Sequence, residues 1–158
     1  MNWKPQGVSL IRRQGGIELD SASPEETILI GKKIAALLSK GSVVALKGDI
    51  GSGKTCITKG IAKGLGINEN ITSPTYTIIS EYKNGANPLL FHIDVYRLNN
   101  DSDFEDIGGL EILNSDGISV IEWSERIPNS LPSDVIIIKM EITGHSSRKI
   151  LINGINKI

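Results

Sequence analysis

The sequence predicts an α/β fold whose sheet mixes parallel and antiparallel strands, and three observations carry that prediction. A short apolar run, Val43-Val44-Ala45-Leu46, precedes a glycine-rich turn, and Ile57, Ile61 and Leu65 follow at four-residue spacing, giving the order strand, loop, helix. Two β-rich runs, 75–82 and 89–96, flank Asn84-Gly85-Ala86-Asn87, a pattern that marks an antiparallel hairpin. Residues 118–123 read as another buried strand, and 135–142 with 149–155 as a final hairpin around Gly144-His145-Ser146-Ser147. A chain of 158 residues with these elements makes one domain around one core.

Residues 1–17 lack periodicity and are broken by Pro5, Gly7, Gly15 and Gly16. They read as an extended, partly mobile leader, with a short edge strand around residues 8–11 as the alternative, and residues 18–158 form the domain. Ser23-Pro24-Glu25-Glu26 announces a helix: Ser23 can cap, Pro24 suits the first helical position and Glu26 completes a capping box. Ile30, Ile34, Leu37 and Leu38 form its buried side, and Gly41 ends it. In the next helix Gly60 and Gly64 lie on one face, each at a propensity cost of about 1 kcal/mol against alanine. Close approach of a neighbouring backbone is the reason for tolerating them. Residues 102–114 read as short helical turns interrupted by Gly108-Gly109.

The turn after the first strand is Gly48-Asp49-Ile50-Gly51-Ser52-Gly53-Lys54-Thr55, which fits the phosphate-loop pattern GxxxxGK[ST] at every fixed position. Strand and helix flank it as that chemistry requires. Loop N–H groups and the positive end of the helix dipole face an anion, Lys54 adds charge at the outer phosphates, and the Thr55 hydroxyl can join a magnesium shell. The predicted fold is therefore a small three-layer P-loop NTPase domain. Asp49, Ile50, Gly51, Ser52, Gly53, Lys54, Thr55 and Cys56 are the expected nucleotide contacts, with a nucleoside triphosphate and Mg2+ as the expected ligands.

Magnesium nucleotide chemistry also needs a carboxylate at a strand end beside the loop. In 89–96, Leu89, Phe91, Ile93 and Val95 point one way and His92, Asp94 and Tyr96 the other. Glu122 directly follows a buried strand, where open α/β sheets place their ligands. Lys54, Asp94 and Glu122 are the expected catalytic residues, Thr55 can join the metal shell, and either carboxylate, Asp94 or Glu122, can hold the metal or orient water. His92 reads as a satisfied strand histidine rather than a base, and His145 as a solvated turn residue. Cys56 reads as a small packed helix residue. Trp123 is either core filler or a lid on the nucleotide.

The phosphate loop, Ser73-Pro74-Thr75-Tyr76-Thr77, His92-Ile93-Asp94-Val95-Tyr96-Arg97-Leu98 and Ile121-Glu122-Trp123-Ser124-Glu125-Arg126 together resemble, in order and spacing, the TsaE (YjeE) ATPases. Glu105-Asp106-Ile107-Gly108 lies between the third and fourth segments. The resemblance implies an ATP-hydrolysing subunit that supports turnover of a TsaD–TsaB complex in threonylcarbamoyladenosine modification of tRNA, with tRNA met only through that complex. It also implies that Thr55 and Glu122 hold magnesium, that Asp94 lies beside the phosphates, and that residues 73–77 act as a nucleotide-sensitive loop.

Charge and composition narrow the rivals. Seventeen basic against eighteen acidic side chains leave no basic field able to hold nucleic acid alone. One cysteine excludes an internal disulfide and any multi-cysteine metal site. No apolar run approaches transmembrane length and the first residues lack a signal-peptide core, so no membrane contact and a cytoplasmic address are expected. A GTPase would carry an Asn/Thr-Lys-x-Asp motif, and Asn156-Lys157-Ile158 lacks its aspartate. A small-molecule kinase would need an arginine-bearing lid, and Arg12, Arg13, Arg97, Arg126 and Arg148 are scattered. A nucleotide-gated adaptor without significant catalysis is the third alternative.

Overall fold

The computed structural model describes residues 10–13, 15–74, 78–85, 88–155 and 158. Strands β1 (Leu10–Arg13), β2 (Gly16–Ser21), β3 (Val43–Lys47), β4 (Ile79–Lys83), β5 (Pro88–Asp94), β6 (Ile118–Glu122), β7 (Ile136–Ile142) and β8 (Arg148–Asn153) form one sheet in the order β1-β2-β8-β7-β3-β6-β5-β4. At its centre β7, β3, β6 and β5 run parallel, and antiparallel strands extend both flanks. The two innermost strands, β3 and β6, are buried nearly throughout, as strands covered on both faces are. No residue of β6 reaches solvent appreciably.

Helices cover the two faces and make three layers. On one side α1 (Pro24–Ala35) and α2 (Lys54–Gly64) pack Ile30, Ile34, Ile57 and Ile61 onto Val44, Leu46, Leu90, Val120 and Ile138. On the other, α3 (Asp101–Asp106) and α4 (Gly109–Leu113) bring Phe104 and Leu113 against Val43, Phe91, Ile93 and Ile121. Successive residues of each strand therefore serve opposite layers. Leu90 and Val120 belong to the α1–α2 side, so His92, Asp94 and Glu122 face that side as well. Among the described residues no helix is long and apolar enough to cross a membrane.

The start of α1 follows from its cap: Ser23 Oγ accepts the Glu26 N–H at 3.1 Å, and the Glu26 carboxylate accepts the Ala22 N–H at 2.7 Å. Its end differs from the sequence expectation. The helix stops at Ala35, so Leu37 falls in the following turn and is exposed, while Leu38 packs on the core. Gly41 sits beyond that turn, donating to the Asp116 carbonyl at 3.2 Å.

Strand β2 has no counterpart in the sequence reading, whose extended leader runs to residue 17. Ile17 and Leu19 are buried, and β8 pairs with β2 from Ile17↔Ile152 to Ser21↔Arg148. β1 in turn pairs with β2, close to the edge strand weighed for residues 8–11. Residues 1–9 lie outside the described residues. Two alternating apolar residues are too short a signal alone, and a partner more than a hundred residues away supplies the pairing.

The crossing of α1 and α2 explains their glycines. Gly31 and Gly60 meet backbone to backbone, and a Cβ on Gly60 would strike the Ile28 carbonyl oxygen and stand 2.8 Å from the Gly31 Cα. Gly60→Ala gains about 1 kcal/mol of helix propensity but overpacks a contact with no soft side chain to yield, at about 1–3 kcal/mol. The variant is expected to melt at a lower temperature than the wild type by circular dichroism. An unchanged or higher melting temperature would show that the helices separate freely.

Candidate functional site

The loop between β3 and α2 has a geometry that suits an anion. Gly51 and Gly53 have φ of 81° and 102°, values that side chains resist, and Gly53 is the N-cap of α2. No side chain caps that helix, which leaves its first-turn N–H groups for a ligand. Lys54 is buried, its Nζ 2.6 Å from the Gly48 carbonyl oxygen and 4.6 Å from the centroid of the Trp123 ring. Thr55 Oγ1 lies 3.1 Å from Ser73 Oγ, which joins the start of α2 to the segment that precedes β4.

Asp94 and Glu122 come from the carboxyl ends of neighbouring parallel strands and stand in register. Glu122 is 4% exposed, and its Oε2 lies 3.2 Å from Nε2 of the fully buried His92. His92 is satisfied on one side only, because Nδ1 has no partner among the described residues. Asp94 is half-buried and accepts the Tyr96 N–H at 2.9 Å, a local turn that fixes its carboxylate. Its pKa is raised, first by burial and next by the charge of Glu122, against the Tyr96 N–H, His92 and Lys54, which lower it.

Trp123 follows Glu122 with φ 62° and ψ 35°, the one non-glycine at positive φ among the described residues. A bulky residue there costs about 1–3 kcal/mol. Its ring continues a stack: Tyr96 at 4.9 Å between centroids, then the Arg126 guanidinium 5.0 Å from the Tyr96 ring. Trp123 packs against the α3–α4 core, as the core-filler reading expects, and its ring also lines the cavity.

These parts enclose a cavity of about 610 Å³. The family model described as threonylcarbamoyl adenosine biosynthesis protein TsaE matches residues 21–150, a span that contains the whole cavity. The chain belongs to the TsaE family. The tRNA threonylcarbamoyladenosine biosynthesis protein TsaE of Treponema pallidum is 42% identical over 132 residues, covering 84% of this chain and 96% of its own. That of Bacillus subtilis is 42% identical over 135 residues, covering 85% and 84%. The crystal structure of Bacillus subtilis YdiB superposes with a TM-score of 0.68 at 34% identity, covering 94% of this chain and 88% of that one.

Of the contacts expected from sequence, Ile50, Gly51, Gly53, Lys54, Thr55, Cys56, Asp94 and Glu122 line the cavity of this TsaE-family chain. Asp49 and Ser52 do not. The Asp49 carbonyl accepts the Ser52 N–H at 3.0 Å, and the Ser52 side chain is buried, so both shape the loop from behind. Ser73 is part of the lining, whereas Thr75, Tyr76 and Thr77 lie outside the described residues. Sequence reasoning missed the opposite rim: Pro24 and Thr27 at the start of α1, and Ser146 and Arg148 from the turn into β8. Nothing local marks Arg148, because it is the sheet order that sets it beside a loop almost a hundred residues earlier.

The raised pKa of Asp94 bears on stability. The folded protein disfavours the ionised carboxylate, so the contribution of Asp94 is fully present below its ordinary pKa of 3.8 and is lost as pH rises through the higher native value. Asp94→Asn keeps the acceptor for the Tyr96 N–H and removes the charge. It is expected to melt above the wild type at pH 7, with the advantage fading as pH approaches 4. A wild type that melts higher than Asp94→Asn at pH 7 would show the carboxylate to be stabilised rather than strained in the fold.

Proposed function

We propose that the protein binds ATP with magnesium and hydrolyses it in the cytoplasm, and that this hydrolysis supports turnover of a TsaD–TsaB complex in threonylcarbamoyladenosine modification of tRNA. The observation that carries this reading is the meeting, in one cavity, of the Gly53-Lys54-Thr55 loop end with Asp94 and Glu122. The donor set suits magnesium. The Thr55 hydroxyl and the Glu122 carboxylate are hard oxygen ligands, and Asp94 brings a second negative charge. Among the described residues no group of three or more His, Cys, Asp or Glu closes on one point, so the remaining positions would fall to phosphate oxygens and water, as this ion prefers. When bound, the ion neutralises charge on the outer phosphates.

The chain's own groups account for the rest. First-turn N–H groups of α2 receive the phosphates, and Lys54 exchanges the Gly48 carbonyl for the terminal phosphate. Asp94, half-buried and with its pKa raised by burial, orients the attacking water and takes its proton. Trp123 and Lys54 exclude bulk water from that side. Base choice rests on a motif missing from the sequence: without a guanine-reading segment, ATP is preferred over GTP. The stack from Lys54 through Trp123 to the exposed Tyr96 supports a route by which phosphate occupancy is felt at the surface, and the segment around Arg97 and Glu105 is the proposed contact for a partner.

A partner that reads the nucleotide state must bind one state more tightly. The ATPase rate is therefore expected to rise when TsaD–TsaB and tRNA are added, and the ATP-bound form to be captured by that complex in preference to the ADP-bound form. A rate indifferent to both, with no capture in either state, would remove the assignment.

A further inference from the structure

We propose that Arg148 is a positioning residue of the nucleotide loop, holding the loop's carbonyl oxygens aside so that its N–H groups meet an incoming phosphate. The inference rests on the nucleotide reading above. Arg148 Nε donates to the Ser52 carbonyl at 3.1 Å and Nη2 to the Gly51 carbonyl at 2.8 Å. Through Nη1 the same guanidinium donates to the Gly144 and Ser147 carbonyls at 3.0 and 2.7 Å. One side chain thus spans two segments far apart in the chain, using its fork on backbone oxygens alone.

The platform beneath it is firm. Arg148 opens β8, pairing with Ser21 of β2 on one side and Ile142 of β7 on the other. A group launched from a strand held on both sides is better placed than one on a free loop.

The effect on the loop follows from peptide geometry. In a trans peptide the C=O and N–H point in opposite directions. Holding Gly51 O turns the Ser52 N–H inward, where it meets the Asp49 carbonyl at 3.0 Å and tightens the loop. Holding Ser52 O turns the Gly53 N–H away from the guanidinium, at the uncapped start of α2. A loop free to rotate these peptides would offer an anion carbonyl oxygens part of the time. Before a phosphate arrives, Lys54 holds the Gly48 carbonyl at the other end of the loop. Lysine cannot replace Arg148, because a single ammonium lacks the planar fork that reaches two carbonyls in fixed directions.

The test is calorimetric titration of Mg-ATP into the full chain as wild type, Arg148→Ala, Arg148→Lys and Lys54→Ala, with melting temperatures alongside. Arg148→Ala is expected to bind about tenfold or more weakly, and millimolar guanidinium chloride to restore much of the loss by occupying the vacated position. Arg148→Lys is expected to be weakened comparably. An Arg148→Ala affinity within twofold of wild type overturns the inference, as does a loss that guanidinium leaves unchanged. If the alanine variant does not fold, Arg148→Lys decides: a folded lysine variant weakened about tenfold supports the role, and one that binds like wild type overturns it. Wild type that binds ATP while Lys54→Ala does not keeps the nucleotide reading standing whatever Arg148 shows. Wild type without affinity for ATP overturns both.

Discussion

Replacing Lys54 by alanine is expected to lower the ATPase rate by about a hundredfold or more while leaving the fold intact. The magnitude is that of removing one preorganised donor from charge that develops in a water-poor site. The fold survives because the bonds lost are few. Lys54 Nζ holds the Gly48 carbonyl and sits over Trp123, and neither contact belongs to the sheet or to the α1–α2 crossing. Gly51 and Ser52 keep their hydrogen bonds to Arg148, so the loop stays tethered. Single-turnover rates with saturating Mg-ATP and circular dichroism of the same samples check both halves. Wild-type activity in a folded Lys54→Ala protein would defeat the assignment of the loop, and with it the ATPase reading.

How much of this was legible in sequence divides along the distance between the residues concerned. The loop was readable because its geometry is local: glycines at fixed positions admit φ of 81° and 102°, and the helix start comes at once. Period-two alternation also sufficed to put His92 and Asp94 on one face of β5. It was not able to say that Asp94 stands beside Glu122, since that requires β5 and β6 to be parallel neighbours in a particular register. Arg148 and β2 were invisible for the same reason: Arg148 bonds to a loop almost a hundred residues earlier, and β2 pairs with a strand more than a hundred residues away. Leu37 shows the converse limit. Helical spacing continued past Ala35, but the chain leaves α1 for a turn in which Ser39 and Ser42 bond each other and Gly41 bonds the distant Asp116 carbonyl, and Leu37 ends in solvent.

Glu122→Ala is expected to abolish nearly all hydrolysis, more completely than Asp94→Ala, and to do so without a matching loss of stability. Two opposing changes in the fold make the second part testable. Truncation leaves His92 Nε2 without its carboxylate 3.2 Å away, in a position that is fully buried, and an unsatisfied buried group costs about 1–3 kcal/mol. Against that, Glu122 is one of the causes that raise the pKa of Asp94. Its removal relieves a like-charge contact at neutral pH. The melting temperature should therefore move little, whereas the rate falls because the buried carboxylate proposed to hold magnesium is gone. Glu122→Gln keeps size and an acceptor for His92 but not the charge, so it should fold like wild type and remain inactive. Asp94→Ala, by contrast, should lower turnover with less effect on the magnesium concentration needed for half-maximal nucleotide binding. Calorimetric titration of ATP into each variant over a range of magnesium concentrations separates the two roles. If Asp94 substitutions shift that midpoint and Glu122 substitutions do not, the carboxylates have the opposite assignment, and Asp94 is the ligand.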